Sequence, residues 1–241
     1  TVSVSNTGPY CEGSSVVLNG STPFSGTVTY SWTGPNGYTS SLQNPTFTAQ
    51  TGIHTYQLTV TVNGCQSTPD TTTVTVNALP TVSVSNTGPY CTGSPISLNS
   101  TTNSTGTITY SWTGPNGYTS AAENPSDATE AGMYELVISS NGCQSAAANT
   151  TVVIHPIPTA QAAYTAPFCT GTTLQLNGST TSSGTVTYSW SGPNGYTSAI
   201  QNPADGTEAG TYTLVVTEAG CTSAPATVDV ISQVPFVSAS N

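Results

Sequence analysis

Six cysteines carry the chemistry this chain has to offer: Cys11, Cys65, Cys91, Cys143, Cys169 and Cys221. A reactive thiolate needs a cationic neighbour or a similar device to lower its pKa. The chain has 241 residues and neither Lys nor Arg, so no such neighbour exists. His54 and His155 are the only histidines, and no motif gathers partners around either for a Ser-His-Asp site or a metal. The carboxylates are scattered: Glu12, Asp70, Glu123, Asp127, Glu130, Glu135, Asp205, Glu208, Glu218 and Asp229. No D-x-D-x-D-G calcium loop occurs among them. The sequence therefore predicts no catalytic residue, no metal and no cofactor. Oxidation remains, because six cysteines at fixed spacing read as a disulfide framework of a secreted protein.

The charge balance removes further functions. Ten Asp and Glu against no Lys or Arg give a net charge of −10. Without cations the chain offers no electrostatic footprint for nucleic acid, no attraction to anionic lipid and no cradle for phosphate. Lys-Asn isopeptide crosslinks are chemically impossible, and trypsin-like proteases find no site. No run approaches the ~18 apolar residues of a membrane span, so no membrane insertion is expected. No signal peptide is visible, which suggests a mature piece or an excerpt.

The cysteines are embedded in a repeat. TVSVSNTGPYC opens at Thr1 and returns at Thr81, and TYSWTGPNGYTS at Thr29 returns at Thr109 and, with one change, at Thr187. Trp32, Trp112 and Trp190 follow the same period, which is long enough for an array of whole small domains. The expected boundaries are 1–78, 79–156 and 157–233, with 234–241 as the start of a fourth, truncated repeat. A domain of that size buries only about 60–65% of its unfolded surface, and disulfides supplement so thin a core.

Each repeat predicts strands. Val, Thr and Tyr are enriched in alternating runs such as Val28–Trp32 and Tyr56–Val62. Turn signals separate them at Gly34-Pro35-Asn36-Gly37, Asn44-Pro45 and Asn63-Gly64. About seven short strands with turns every 8–12 residues indicate an all-β sandwich.

Gly13-Ser14-Ser15-Val16-Val17-Leu18-Asn19-Gly20 resembles strand B of an immunoglobulin domain, with Gly20 where a cysteine would stand. Trp32 follows at the place of the strand C tryptophan. Glu130-Ala131-Gly132-Met133-Tyr134 and Glu208-Ala209-Gly210-Thr211-Tyr212 resemble strand F, while the first repeat departs from that pattern before Tyr56. The chain thus resembles the immunoglobulin-like or PKD-like tandem repeats of giant secreted cell-surface proteins of Bacteroidetes-type bacteria. The resemblance implies tandem immunoglobulin-like β-sandwich domains arranged head to tail, at an extracellular or cell-surface location. It implies core positions for Trp32, Trp112 and Trp190, for the corner tyrosines Tyr56, Tyr134 and Tyr212, and for Leu58, Leu136 and Leu214, which replace the second immunoglobulin cysteine.

On that template Cys11 lies at the A–B end of its sandwich and Cys65 at the opposite, F–G end. Strands of this length separate those ends by more than ~20 Å, while a disulfide needs Cα atoms within about 7 Å. The template therefore favours Cys11–Cys143 and Cys91–Cys221, with Cys65 and Cys169 bonding to repeats beyond this stretch. Pairing within each repeat (Cys11–Cys65, Cys91–Cys143 and Cys169–Cys221) and free thiols stay open.

The recurrent GPNGY loop is a turn after strand C or a repeated contact through Asn36, Tyr38, Asn116, Tyr118, Asn194 and Tyr196. Asp70-Thr71-Thr72 resembles a short O-glycosylation motif at Thr71, and N-x-S/T sequons occur at Asn19, Asn99, Asn103, Asn149 and Asn177. Leu79-Pro80, Ile157-Pro158 and Val234-Pro235 read as stiff joints. The expected role is a structural segment of an extracellular fibre or stalk, whose partners are further copies of the repeat. The alternative is an adhesin whose GPNGY loops bind glycans or pack laterally.

Overall fold

The computed structural model describes residues 1–169 and 171–233; the expected fourth repeat at 234–241 lies outside the described residues. Strands and three short 3-10 turns make up its regular structure, with no α-helix among the described residues.

The first repeat builds nine strands: β1 Ser3–Asn6, β2 Tyr10–Cys11, β3 Ser15–Ser21, β4 Val28–Thr33, β5 Thr39–Ser40, β6 Thr46–Thr48, β7 Gly52–Val62, β8 Cys65–Gln66 and β9 Asp70–Asn77. Alternation decides which face goes inside. In β3, Val16, Leu18 and Gly20 are buried while Ser15 and Ser21 are exposed. In β7 the buried set is Tyr56, Leu58 and Val60, and in β9 it is Val74 and Val76. These side chains close one core around Trp32, which has no exposed surface. Truncating a buried Trp to Ala typically costs about 3–5 kcal/mol, so Trp32 is a main anchor of this small domain.

Two sheets enclose that core. One has the order β1-β3-β6 and the other β2-β9-β7-β4-β5, with β8 also on β7. Strands β4, β7 and β9 stand side by side as strands C, F and G of an immunoglobulin sandwich, and β3 lies in the facing sheet as strand B. Trp32 on β4 pairs directly with Leu58 on β7. The same register recurs as Trp112 with Leu136 and Trp190 with Leu214. The fold is therefore a tandem immunoglobulin-like β-sandwich. The irregular approach to Tyr56 has a structural outcome. Strand β7 has 11 residues, where Gly132–Ser140 and Gly210–Glu218 have nine. The longer strand stays paired with β9 as far as Gly52 and Val76.

The chain divides into two compact units. One comprises Thr1–Ser85, Asn99–Pro125 and Tyr134–Thr150, and the other Asn86–Leu98, Ser126–Met133 and the chain from Thr151 onward. The division passes through the second sequence repeat. The first unit therefore holds the whole first repeat together with the C–F hairpin region of the second. The third repeat has its own core around Trp190, Tyr212, Leu214 and Leu176.

Candidate functional site: the disulfide joints

Two local devices present the cysteines. The first is a tight hairpin. Asn63 and Gly64 take φ of 49° and 83°, Asn141 and Gly142 take 50° and 80°, and Ala219 and Gly220 take 47° and 83°. Paired positive φ values make the two-residue turn whose twist suits an antiparallel ribbon. Each turn delivers a cysteine as its next residue, opposite the last residue of strand F: Cys65 faces Val62, Cys143 faces Ser140 and Cys221 faces Glu218.

The second device is a short parallel bridge. Tyr10 and Cys11 pair with Val76 and Asn77 at the end of β9. Tyr90 and Cys91 pair in the same way with Ile154 and His155, and Phe168 and Cys169 with Ser232 and Gln233. The tyrosine hydroxyl fixes the approach. Tyr10 Oη accepts from the Thr7 amide at 3.1 Å and donates to the Val17 carbonyl at 3.3 Å. Tyr90 Oη accepts from the Thr87 amide at 3.1 Å and donates to the Ser97 carbonyl at 3.0 Å.

Two of the three hairpin cysteines are joined to a parallel-bridge cysteine of another repeat. In the first unit Cys11 is joined to Cys143, with Cα atoms 5.5 Å apart. Beside the bond, Asn77 Nδ2 donates to the Asn141 carbonyl at 3.1 Å, and Cys11 Sγ lies 3.7 Å from the Gly142 carbonyl oxygen. In the second unit Cys91 is joined to Cys221, again with Cα atoms 5.5 Å apart. There Cys221 Sγ lies 4.0 Å from the Tyr90 carbonyl and 3.9 Å from that of His155. Cys143 and Cys221 are both 1% exposed. The bonds Cys11–Cys65, Cys91–Cys143 and Cys169–Cys221 are not formed. Cys65 is free and exposed, and Cys169 is free and half-buried.

Tryptophan and tyrosine serve the core. Trp32, Trp112 and Trp190 donate their indole N–H to the carbonyls of Gln43, Ala122 and Gln201 at 3.3, 3.1 and 3.2 Å. Tyr212 Oη donates to the Glu208 carbonyl four residues upstream at 3.0 Å, a tyrosine-corner bond. Tyr56, Leu58, Tyr134, Leu136 and Leu214 are buried beside them.

The GPNGY loops form the 3-10 turns, with Asn36, Asn116 and Asn194 all near φ 53°. Their tyrosines turn inward. The Tyr38, Tyr118 and Tyr196 rings stand edge-on to Tyr56, Tyr134 and Tyr212 at centroid distances of 5.2, 5.3 and 5.3 Å. Tyr196 Oη also donates to Asp205 at 2.7 Å. Burial, followed by that bond to a carboxylate, pushes the Tyr196 pKa up to about 12. The asparagines and the glycines that follow them stay exposed. The first loop glycine has a packing reason. A Cβ on Gly34 would lie 2.5 Å from the Tyr56 ring, and Gly114 and Gly192 meet Tyr134 and Tyr212 at the same distance.

His54 Nε2 sits 3.1 Å from the Gln50 carbonyl and 3.2 Å from that of Thr51, a local loop contact. Asp70 accepts from the Val4 amide at 3.2 Å and the Thr71 amide at 2.9 Å, while Thr71 itself is exposed. No group of three His, Cys, Asp or Glu side chains gathers as metal ligands among the described residues.

No protein-family model matches the chain, and no curated protein matches it. Among solved structures it is similar to murine CEACAM1b, at 14% identity and a TM-score of 0.38, covering 65% of this chain and 100% of that one. It is also similar to the FN1–FN3 domains of chicken CNTN1, at 9% identity and a TM-score of 0.33, covering 95% and 97%. The immunoglobulin domains 1–5 of Sidekick-1 align over 95% of this chain and 58% of that one, at 13% identity and a TM-score of 0.29.

Proposed function

We propose that this chain is a structural repeat segment of an extracellular fibre or stalk, in which successive repeats (1–78, 79–156 and 157–233) are coupled in series by disulfides. The observation that carries the reading is the second bond repeating the first. Cys11–Cys143 and Cys91–Cys221 use the same pair of devices, a parallel bridge and an Asn-Gly or Ala-Gly hairpin, about eighty residues apart. A staple inside one domain would leave each domain free to separate from the next. These bonds tie different repeats instead.

Their order along the chain adds a mechanical property. Cys91 lies before Cys143, so the two covalent loops overlap. With both bonds intact, tension entering at Cys11 reaches Cys221 through two disulfides and the segment between Cys91 and Cys143. The rest of both loops is bypassed. Disulfides persist in oxidising compartments, which fits a secreted, surface-exposed segment. A surface without Lys or Arg fits the same setting, since trypsin-like proteases find nothing to cut. A bacterial cell surface is the setting the repeat resembles. No helix of the described residues is long and apolar enough to cross a membrane. Further copies of the repeat are the proposed partners of Cys65 and Cys169.

Peptide mapping without reductant tests the reading. Digestion with chymotrypsin or a Glu-specific protease should release a linked Cys11–Cys143 peptide and a linked Cys91–Cys221 peptide. Recovery of Cys11–Cys65 or Cys91–Cys143 links would overturn it.

A further inference from the structure

We propose that the first repeat carries a binding site for one ring of a neutral saccharide, in a cavity between its GPNGY loop and the start of strand β7. The inference goes beyond the serial-coupling reading and does not depend on it.

The cavity follows from a difference between repeats. Two residues before the corner tyrosine, the second and third repeats have glycine: Gly132 before Tyr134 and Gly210 before Tyr212. In the third repeat the loop proline packs on that glycine, so closely that a Cβ on Gly210 would lie 2.7 Å from Pro193 Cγ. The first repeat has His54 at this register position, paired with Val74 as Gly210 is with Val230. A side chain there is incompatible with the proline contact. The stretch from Pro45 to Tyr56 is also two residues longer than that from Pro203 to Tyr212. Loop and strand therefore stand apart, and a cavity of about 280 Å³ opens between them, with Pro35 in its wall.

A second difference falls on the same cavity. Phe47 lies opposite Val16, where the other repeats set Ala128 opposite Ile96 and Gly206 opposite Leu174. Phe47 adds a ring to the tyrosine pair of the loop. Tyr38, Phe47 and Tyr56 form a cluster with centroids 5.0 to 5.2 Å apart, and all three line the cavity. Tyr38 and Phe47 are only half-buried. The two residues that set this repeat apart thus meet at one place.

The lining selects the ligand. Its polar members include the exposed Asn36 and Gln50 and the half-buried His54. His54 Nε2 stands beside the Gln50 and Thr51 carbonyls, which accept only if that nitrogen carries a hydrogen, so the neutral ring keeps Nδ1 as an acceptor. No Lys or Arg exists in the chain to pair with an anionic ligand. No Asp or Glu lines the cavity to hold a cation. A neutral ligand with an apolar face and several hydroxyls satisfies the remaining groups. A sugar ring has both: its C–H face covers an aromatic ring, and its hydroxyls exchange hydrogen bonds with amides and imidazole. The volume falls just below the ~300–1,000 Å³ of sites for drug-sized ligands, which suits one ring and not a long chain.

Titration of the isotope-labelled chain with the methyl glycosides of glucose, galactose, mannose, fucose and N-acetylglucosamine, followed by NMR, tests this. At least one glycoside should cause saturable shifts at the His54 ring and the Gln50 side-chain amide, while Asn194 and Tyr196 of the third repeat stay in place. Gln50→Ala, at an exposed position, should weaken binding roughly threefold to tenfold, the effect of one lost hydrogen bond. His54→Gly, which restores the glycine of the other repeats, should abolish the Gln50 shifts, with dispersed tryptophan resonances reporting that the variant is folded. Absence of shifts with all five glycosides, equal shifts in the third repeat, or shifts caused by indole and by no glycoside would overturn the inference. So would binding that both variants leave unchanged. The disulfide map is indifferent to each of these results, so this inference can fail while the serial-coupling reading stands.

Discussion

Gly20 faces Leu58 so closely that a Cβ on Gly20 would lie 2.7 Å from Leu58 Cδ2. The same atom would stand 3.1 Å from Trp32 Cζ2 and 3.0 Å from the Gln43 carbonyl. Here the cysteines that bridge the sheets of an immunoglobulin domain are replaced by a glycine and a leucine in contact. The leucine fills the space that the bridge would take, and the strand B position has shrunk to admit it. Gly178 stands in the same relation to Leu214 in the third repeat. Ser100 fills the second and directs its hydroxyl to the Glu123 carbonyl at 3.0 Å.

Gly20→Ala should therefore destabilise the first repeat, because the added methyl must displace Leu58 and Trp32 in a full core. Overpacking of this kind typically costs about 1–3 kcal/mol. Urea unfolding followed by Trp fluorescence checks it. An unchanged midpoint would mean that the contact is looser than described.

Ala219→Asn should stabilise the third repeat. Ala219 holds φ of 47°, a left-handed conformation that the equivalent turns give to Asn63 and Asn141. That conformation costs an ordinary residue about 1–2 kcal/mol, and Asn tolerates it better. A higher unfolding midpoint, with the Cys91–Cys221 link unchanged in a non-reducing digest, is the expected outcome.

Tyr196 sets an alkaline limit. Its pKa rises from 10.0 in the unfolded chain to about 12 in the fold, by burial and then by the bond to Asp205. The folded state thus favours the protonated phenol. This contribution is complete below pH 10 and is lost as pH climbs from 10 toward 12. Tyr196→Phe removes the titrating group, so its stability should fall less steeply over that window than that of the parent chain. Urea midpoints across the window, measured with Cys65→Ser and Cys169→Ser in both proteins to prevent disulfide exchange, give the comparison. Equal slopes would contradict it.

The core was legible because its signals are local. Trp32, Tyr56 and Leu58 alternate with polar neighbours, and Asn63-Gly64 announces its hairpin two residues before a cysteine. Contacts between distant segments left no such mark. Asn44, Asn124 and Asn202 accept the amides of Gly20, Ser100 and Gly178 at 3.1, 2.8 and 2.9 Å and so hold strand B. Asn44-Pro45 had signalled only a turn. Tyr10 and Tyr90 each precede a cysteine in the repeated phrase, yet their hydroxyl bonds to Val17 and Ser97 appear only once the chain has folded back. The GPNGY tyrosines look available for contact in sequence. They are drawn inward because the glycine at the head of each loop lets the corner tyrosine ring approach.

Pulling single molecules by their two ends, with and without reductant, tests the central claim most directly. If overlapping disulfides couple the repeats in series, the oxidised chain will stop extending far short of its full length, because only the stretch between Cys91 and Cys143 separates the two bonds along the shortest covalent path from Cys11 to Cys221. Reduction should release the remainder, toward the ~3.3–3.6 Å per residue of a fully extended chain. An oxidised chain that extends as far as the reduced one would contradict the account.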